Sequence, residues 1–133
     1  MSKSQSSLEI AIIFGIMLLV FTIFLVLNTE MSAMITSRHS RSSISVALDD
    51  IAFTAQHVFI QGQGASSQVF ISLPGNVIGS FIENNTIEIH QLGRNAPYVS
   101  YRILPFNITG TLPNSSGNYW ITVESFGGFV NVS

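Results

Sequence analysis

Gln5-Ser6-Ser7-Leu8-Glu9-Ile10 leads directly into Ala11-Ile12-Ile13-Phe14-Gly15-Ile16-Met17-Leu18-Leu19-Val20-Phe21-Thr22-Ile23-Phe24-Leu25-Val26-Leu27. From Ile10 to Leu27 this makes 18 residues without a charge. At about 1.5 Å per helical residue such a run reaches roughly 27 Å, close to the hydrocarbon thickness of a bilayer. In lipid the backbone has no water to bond, so the run must be a helix there. Gly15 and Thr22 are tolerable inside it. A cleaved secretory signal would carry a shorter apolar region ending at small residues. Asn28-Thr29-Glu30-Met31 is a poor site of that kind. A plain signal anchor remains open.

Glu9 sits one residue before the uncharged run. A carboxylate at the edge of a span is costly if drawn into lipid and usually marks a function. Its plainer role is that of an acidic residue favoured by the positive end of the helix dipole. The residues around Glu9 bear on this choice. Gln5-Ser6-Ser7-Leu8-Glu9-Ile10 resembles the Gln-x-Ser-x-Glu-Phe pattern of archaeal class III signal peptides, the type IV pilin-like family, with Ser4 in place of the common Gly and Ile10 in place of Phe. The resemblance implies cleavage between Ser4 and Gln5 by a prepilin peptidase, with residues 1–4 as the leader. Gln5 would become the mature N-terminus and Glu9 the fifth mature residue. In a helical filament the Gln5 amine of one subunit would pair with Glu9 of a neighbour and set the axial register, since either charge alone would be expensive among packed apolar helices.

Beyond Leu27, apolar residues recur at Met31, Met34 and Ile35. From Ile44 through Leu48, Ile51, Ala52, Ala55, Val58 and Phe59 the steps are mainly three and four, an amphipathic helical stripe. The stripe lapses in Thr36-Ser37-Arg38-His39-Ser40-Arg41-Ser42-Ser43, and a continuous helix through it is the preferred reading. Gln61-Gly62-Gln63-Gly64 ends the helix, glycine supplying the left-handed cap. A phosphate-cradling role for these glycines lacks both a preceding strand and a following Lys-Ser/Thr. A helix over residues 5–62 is unusual for a globular domain and natural for a pilin, whose second half docks on its own head.

From Ser67 the period changes. Residues 68–73, 77–82, 86–92, 98–104, 106–112, 118–124 and 129–132 read as short strands. They are separated by Pro74-Gly75-Asn76, Asn84-Asn85 and Pro113-Asn114-Ser115-Ser116-Gly117. The expected fold class is α+β, a long N-terminal hydrophobic helix followed by a small antiparallel β-sandwich-like head over residues 65–133. The passage from Val58 to Val77 also looks like the helix-to-head junction of the same archaeal family. Four Asn-x-Ser/Thr sequons, at Asn84, Asn107, Asn114 and Asn131, fall in the head and are candidate glycosylation sites. Glycans there would solvate a surface poor in charge. Asn114, in the clearest turn, is the strongest candidate and Asn131 the weakest.

Charged residues make up 9% of the 133 residues, against roughly 25% in soluble domains. A monomeric cytosolic protein so poor in charge would be hard to keep in solution. A net charge of −2 gives no footprint for nucleic acid. With no cysteine there is neither disulfide scaffold nor thiolate site. His39, His57 and His90 share no metal-ligand spacing. Adjacent Asp49 and Asp50 point in different directions on a helix and make no catalytic pair. No nucleophile elbow or triad pattern is visible. The expectation is therefore a structural protein, not an enzyme, without metal or cofactor. Arg38 and Arg41 would meet lipid headgroups, neighbours or solvent, and the positive-inside rule gives little help with orientation.

What the resemblance implies is a subunit of an archaeal pilus-like or archaellum-like filament, a single-pass membrane protein before assembly and extracellular afterwards. Its expected partners are copies of itself, a prepilin peptidase, an assembly ATPase, a platform protein and the membrane. The alternative is an anchored accessory, stator-like or a minor pilin, whose head binds the surface layer or another envelope component.

Overall fold

The structure, a computed structural model, describes residues 3–93 and 96–133, with the side chains of residues 3–6, 33, 34, 36 and 37 excepted. Helix α1 spans Lys3–Gln61. Seven strands follow: β1 Ser66–Leu73, β2 Val77–Glu83, β3 Thr86–Gln91, β4 Tyr98–Ile103, β5 Asn107–Gly110, β6 Gly117–Ser125 and β7 Phe129–Val132. The fold is α+β, as the change of hydrophobic period requires. The chain divides into two compact units, Met1–Arg38 and His39–Ser133. The division falls inside α1, because its second part builds the same core as the strands.

In the second unit, Ile44, Ala47, Leu48, Ile51, Ala55 and Val58 of α1 are all buried. Their spacing is the three-and-four stripe of an amphipathic helix, and no proline or internal glycine interrupts it. They share one hydrophobic cluster with Ile71 and Leu73 of β1, Ile87 and Ile89 of β3, Ile108 of β5, Ile121 and Val123 of β6, and Val130 and Val132 of β7. Phe59 stacks on Phe106 with ring centroids 4.2 Å apart. Fully burying one such aliphatic side chain contributes roughly 1.5–3 kcal/mol, so this cluster is the main source of the unit's stability.

The helix stops where glycine permits a left-handed turn. Gly62 has φ +93° and Gly64 φ +85°, and the Gly62 N–H donates to the Phe59 carbonyl at 3.2 Å. The Gly64 N–H then donates to the Ser125 carbonyl at 2.8 Å, which delivers the chain into the β1–β6 pairing.

Two sheets result, β1-β6-β7-β5 and β2-β3-β4. All pairs are antiparallel except β5–β7, which run parallel. This exception has a topological cause. β7 turns back along β6 and enters between it and β5, and a strand antiparallel to β6 in that slot runs the same way as β5. The β2–β3 hairpin closes over Asn84-Asn85, with Asn84 at φ +54°, a value asparagine tolerates better than most residues. That turn also joins the two sheets. The Asn84 carbonyl accepts from the Ile108 N–H and the Asn85 carbonyl from the Leu104 N–H, each at 2.7 Å.

Candidate functional site

In the first unit, Ser7–Ser32 of α1 contains an 18-residue window with a mean hydropathy of 3.2, none of whose residues is buried. It is one helix long and apolar enough to cross a membrane. Its large side chains are exposed around the whole circumference, from Leu25 at 49% to Met17 at 70%. Leaving such side chains in water costs about 1.5–3 kcal/mol each, so this surface demands lipid or other apolar helices. Three polar residues within it bond to their own helix. Thr22 Oγ1 donates to the Leu18 carbonyl at 2.8 Å, Thr29 Oγ1 to the Val26 carbonyl at 2.8 Å, and Asn28 Nδ2 to the Phe24 carbonyl at 3.1 Å. Each group therefore enters an apolar medium already paired.

Glu9 is exposed near the start of α1, one residue before Ile10. The expected scissile pair, Ser4 and Gln5, has helical backbone, and its side chains lie outside the described residues, as do Met1 and Ser2. Gln5 and Glu9 stand four positions apart on one helix.

The four sequons all lie in the second unit. Asn84 is exposed in the β2–β3 turn and Asn107 is exposed at the start of β5. Asn114 is exposed between β5 and β6, and its Oδ1 accepts from the Ser80 N–H at 3.0 Å and the Ser80 hydroxyl at 2.8 Å. Asn131 is half-buried in β7, with Thr109 Oγ1 at 3.4 Å from its Oδ1. The structure does not bring these four together into one site.

The same unit holds polar contacts that no local pattern announces. Arg102 of β4 donates through Nη2 to the Ser45 hydroxyl at 2.9 Å and through Nε to Asp49 Oδ1 at 2.6 Å. This hydrogen bond, more than the charge attraction that adds to it, holds the Asp49 carboxyl below its ordinary value of 3.8. The Arg41 guanidinium lies 3.7 Å from the centre of the Tyr98 ring. These contacts tie the helix to β4 along a line that the apolar stripe does not cover. His90 lies 3.3 Å from Glu88, and His57 stacks on Phe53 and lies 3.3 Å from Gln61 Nε2. Among the described residues no group of three or more His, Asp or Glu is placed to hold a metal ion.

Comparison with family models, curated proteins and solved structures gives no match. The functional reading therefore rests on the chain's own residues.

Proposed function

We propose that the chain is a structural subunit of an archaeal type IV pilus-like or archaellum-like surface filament. In this reading a prepilin peptidase removes residues 1–4, and Ile10 to Leu27 holds the subunit in the membrane until assembly. The observation that carries the proposal is the bare apolar circumference of Ser7–Ser32 on a helix whose later residues belong to a β unit. An anchor alone would need only lipid around it. The Gln5-to-Ile10 motif at its start adds a processing site and a carboxylate at the edge of the apolar run.

Withdrawal from lipid exposes on the order of tens of kcal/mol of apolar surface. The helix must therefore exchange lipid for the helices of other subunits, with an assembly ATPase and a platform protein supplying the work. In that dry bundle Glu9 pairs with the Gln5 amine of a neighbour. A head bearing glycans at Asn84, Asn107 or Asn114 would gain the solvation that its few charges do not supply.

Mass analysis of the mature protein is expected to give Gln5 as the first residue, and purified surface filaments are expected to contain the chain. Replacing Glu9→Gln leaves the neighbour's amine uncompensated, at about 3–5 kcal/mol for a buried pair, and filament yield should fall at least about tenfold. An N-terminus ahead of Gln5, or normal filaments from the Glu9→Gln subunit, would overturn the proposal.

A second reading, an anchored accessory whose head binds an envelope component, is favoured by one feature of the β unit. Trp120 is 69% exposed, an uncommon setting for the largest aromatic side chain.

A further inference from the structure

The outer face of the β1–β6 pair is a row of cross-strand partners: Gln68 opposite Thr122, Phe70 opposite Trp120, and Ser72 opposite Asn118. Alternation turns Ile71, Leu73, Ile121 and Val123 inward and leaves these six on the other side. Phe70 is 46% and Trp120 69% exposed, and their ring centroids stand 5.2 Å apart at 56°. The rings thus form an apolar step with amide and hydroxyl side chains on both flanks. Gln68 Nε2 lies 3.5 Å from Thr122 Oγ1, at the limit of a hydrogen bond, so little holds these groups against an incoming partner.

Beside Phe70 the surface dips into a groove of ≈ 330 Å³ between β1 and α1. Its walls on the helix side are Ser42, Ser43, Val46, Ala47 and Asp50. That volume is at the small end of ligand sites, which run from about 300 to 1,000 Å³.

From this arrangement we infer that the Phe70–Trp120 step, continued into the groove, binds a neutral saccharide. Three features select that ligand class. Neither the row nor the groove carries a cation, and Asp50 brings a carboxylate, so phosphate, sulfate and anionic lipid headgroups are disfavoured. A pyranose ring has one apolar C–H face and a rim of hydroxyls, which match a ring pair flanked by neutral donors and acceptors. The exposed area of the two rings is roughly 200–300 Å², well short of the about 800 Å² per partner that a stable protein interface needs. The inference does not depend on the filament reading, because an anchored accessory would use the same face.

Trp120 is the chain's single tryptophan, so emission excited selectively in tryptophan, beyond tyrosine absorption, reports on this site alone. The full chain, held in a zwitterionic detergent without a sugar headgroup, would be titrated with maltotriose, mannotriose and triacetylchitotriose. At least one is expected to shift the emission saturably, with Kd on the order of 0.1–10 mM. Phe70→Ala, and separately Gln68→Ala with Asn118→Ala, should each weaken binding at least about tenfold. Both variants alter exposed side chains and should keep the unmodified chain's melting temperature. An emission unchanged by all three sugars, or equal responses from these variants and the unmodified chain, would overturn the inference. So would a sugar-independent shift that grows with protein concentration and is lost in Phe70→Ser, because the face would then close on a second copy.

Discussion

Single residues decide the tight places of the β unit. Gly110 has φ +120°, and a Cβ there would run into the Val132 carbonyl oxygen, a backbone atom fixed in the β5–β7 ladder. Gly110→Ala is expected to lower stability by at least about 2 kcal/mol through combined strain and collision. Gly75→Ala, where an added Cβ meets nothing within 4 Å, should stay within about 0.5 kcal/mol. Urea unfolding of the two variants checks both expectations, and equal losses would contradict the geometry. Some residue-scale detail follows from strand alternation once β3 is placed. Alternation in β3 puts Gln91 on the side of Ile87 and Ile89, and Gln91 is 1% exposed, with Nε2 donating to Ser100 at 3.0 Å. The Ser80–Asn114 clasp was not legible. Its partners are 34 positions apart, and nothing in either neighbourhood marks the other.

At the scale of elements, hydrophobic period was a good guide. The stripe from Ile44 to Phe59 is the buried face of α1, and each of the seven strands lies within two residues of its expected span at either end. Period says what is buried and not what it is buried against. The division into two sheets and the parallel β5–β7 pair therefore needed the structure. So did the bond from Arg102 to Asp49, which fastens β4 to the helix. Because Arg102 lowers the folded-state pKa of Asp49 below 3.8, this pair's contribution is complete above the unfolded value. It is lost as pH falls through the lower folded one. Asp49→Asn should therefore flatten the stability curve below about pH 5 and change little at pH 7 beyond the loss of the pair. The side chains are 38% and 58% exposed, so solvent screening holds the effect to about 0.2–1 kcal/mol. Acid titrations of thermal unfolding would show it, and parallel curves for variant and unmodified chain would refute it.

For the whole molecule the deciding quantity is apolar area without a protein cover. The candidate span was legible because a charge-free run of 18 residues has few interpretations, and the structure gives it one helix long and apolar enough to cross a membrane. Leu19→Arg places a charge near the middle of that run, at about 2.5–3.5 kcal/mol for a helix centre. It should move a substantial fraction of the chain from the membrane pellet to the alkali-extractable fraction, whereas Leu19→Phe should not. Undiminished membrane retention of the arginine variant would argue against a span at this place. The candidate site was less legible than the fold. The Gln5-to-Ile10 string proposed for processing and the sequons are local and can be read directly. The Phe70–Trp120 step exists only because β1 and β6, 50 residues apart at that pair, lie side by side in one register.

The position of β7 has a consequence for how the chain is made. It is an inner strand, bonded to β6 on one side and β5 on the other, and it brings Val130 and Val132 into the core. The four-stranded sheet therefore cannot close until a ribosome has passed Val132. Leu27 and Phe129 are 129 − 27 = 102 positions apart, which at about 5–20 residues per second is a delay of roughly 5–20 s. Through that interval β5 and β6 have no strand between them, so the sheet that covers the second part of α1 is completed only with the last strand.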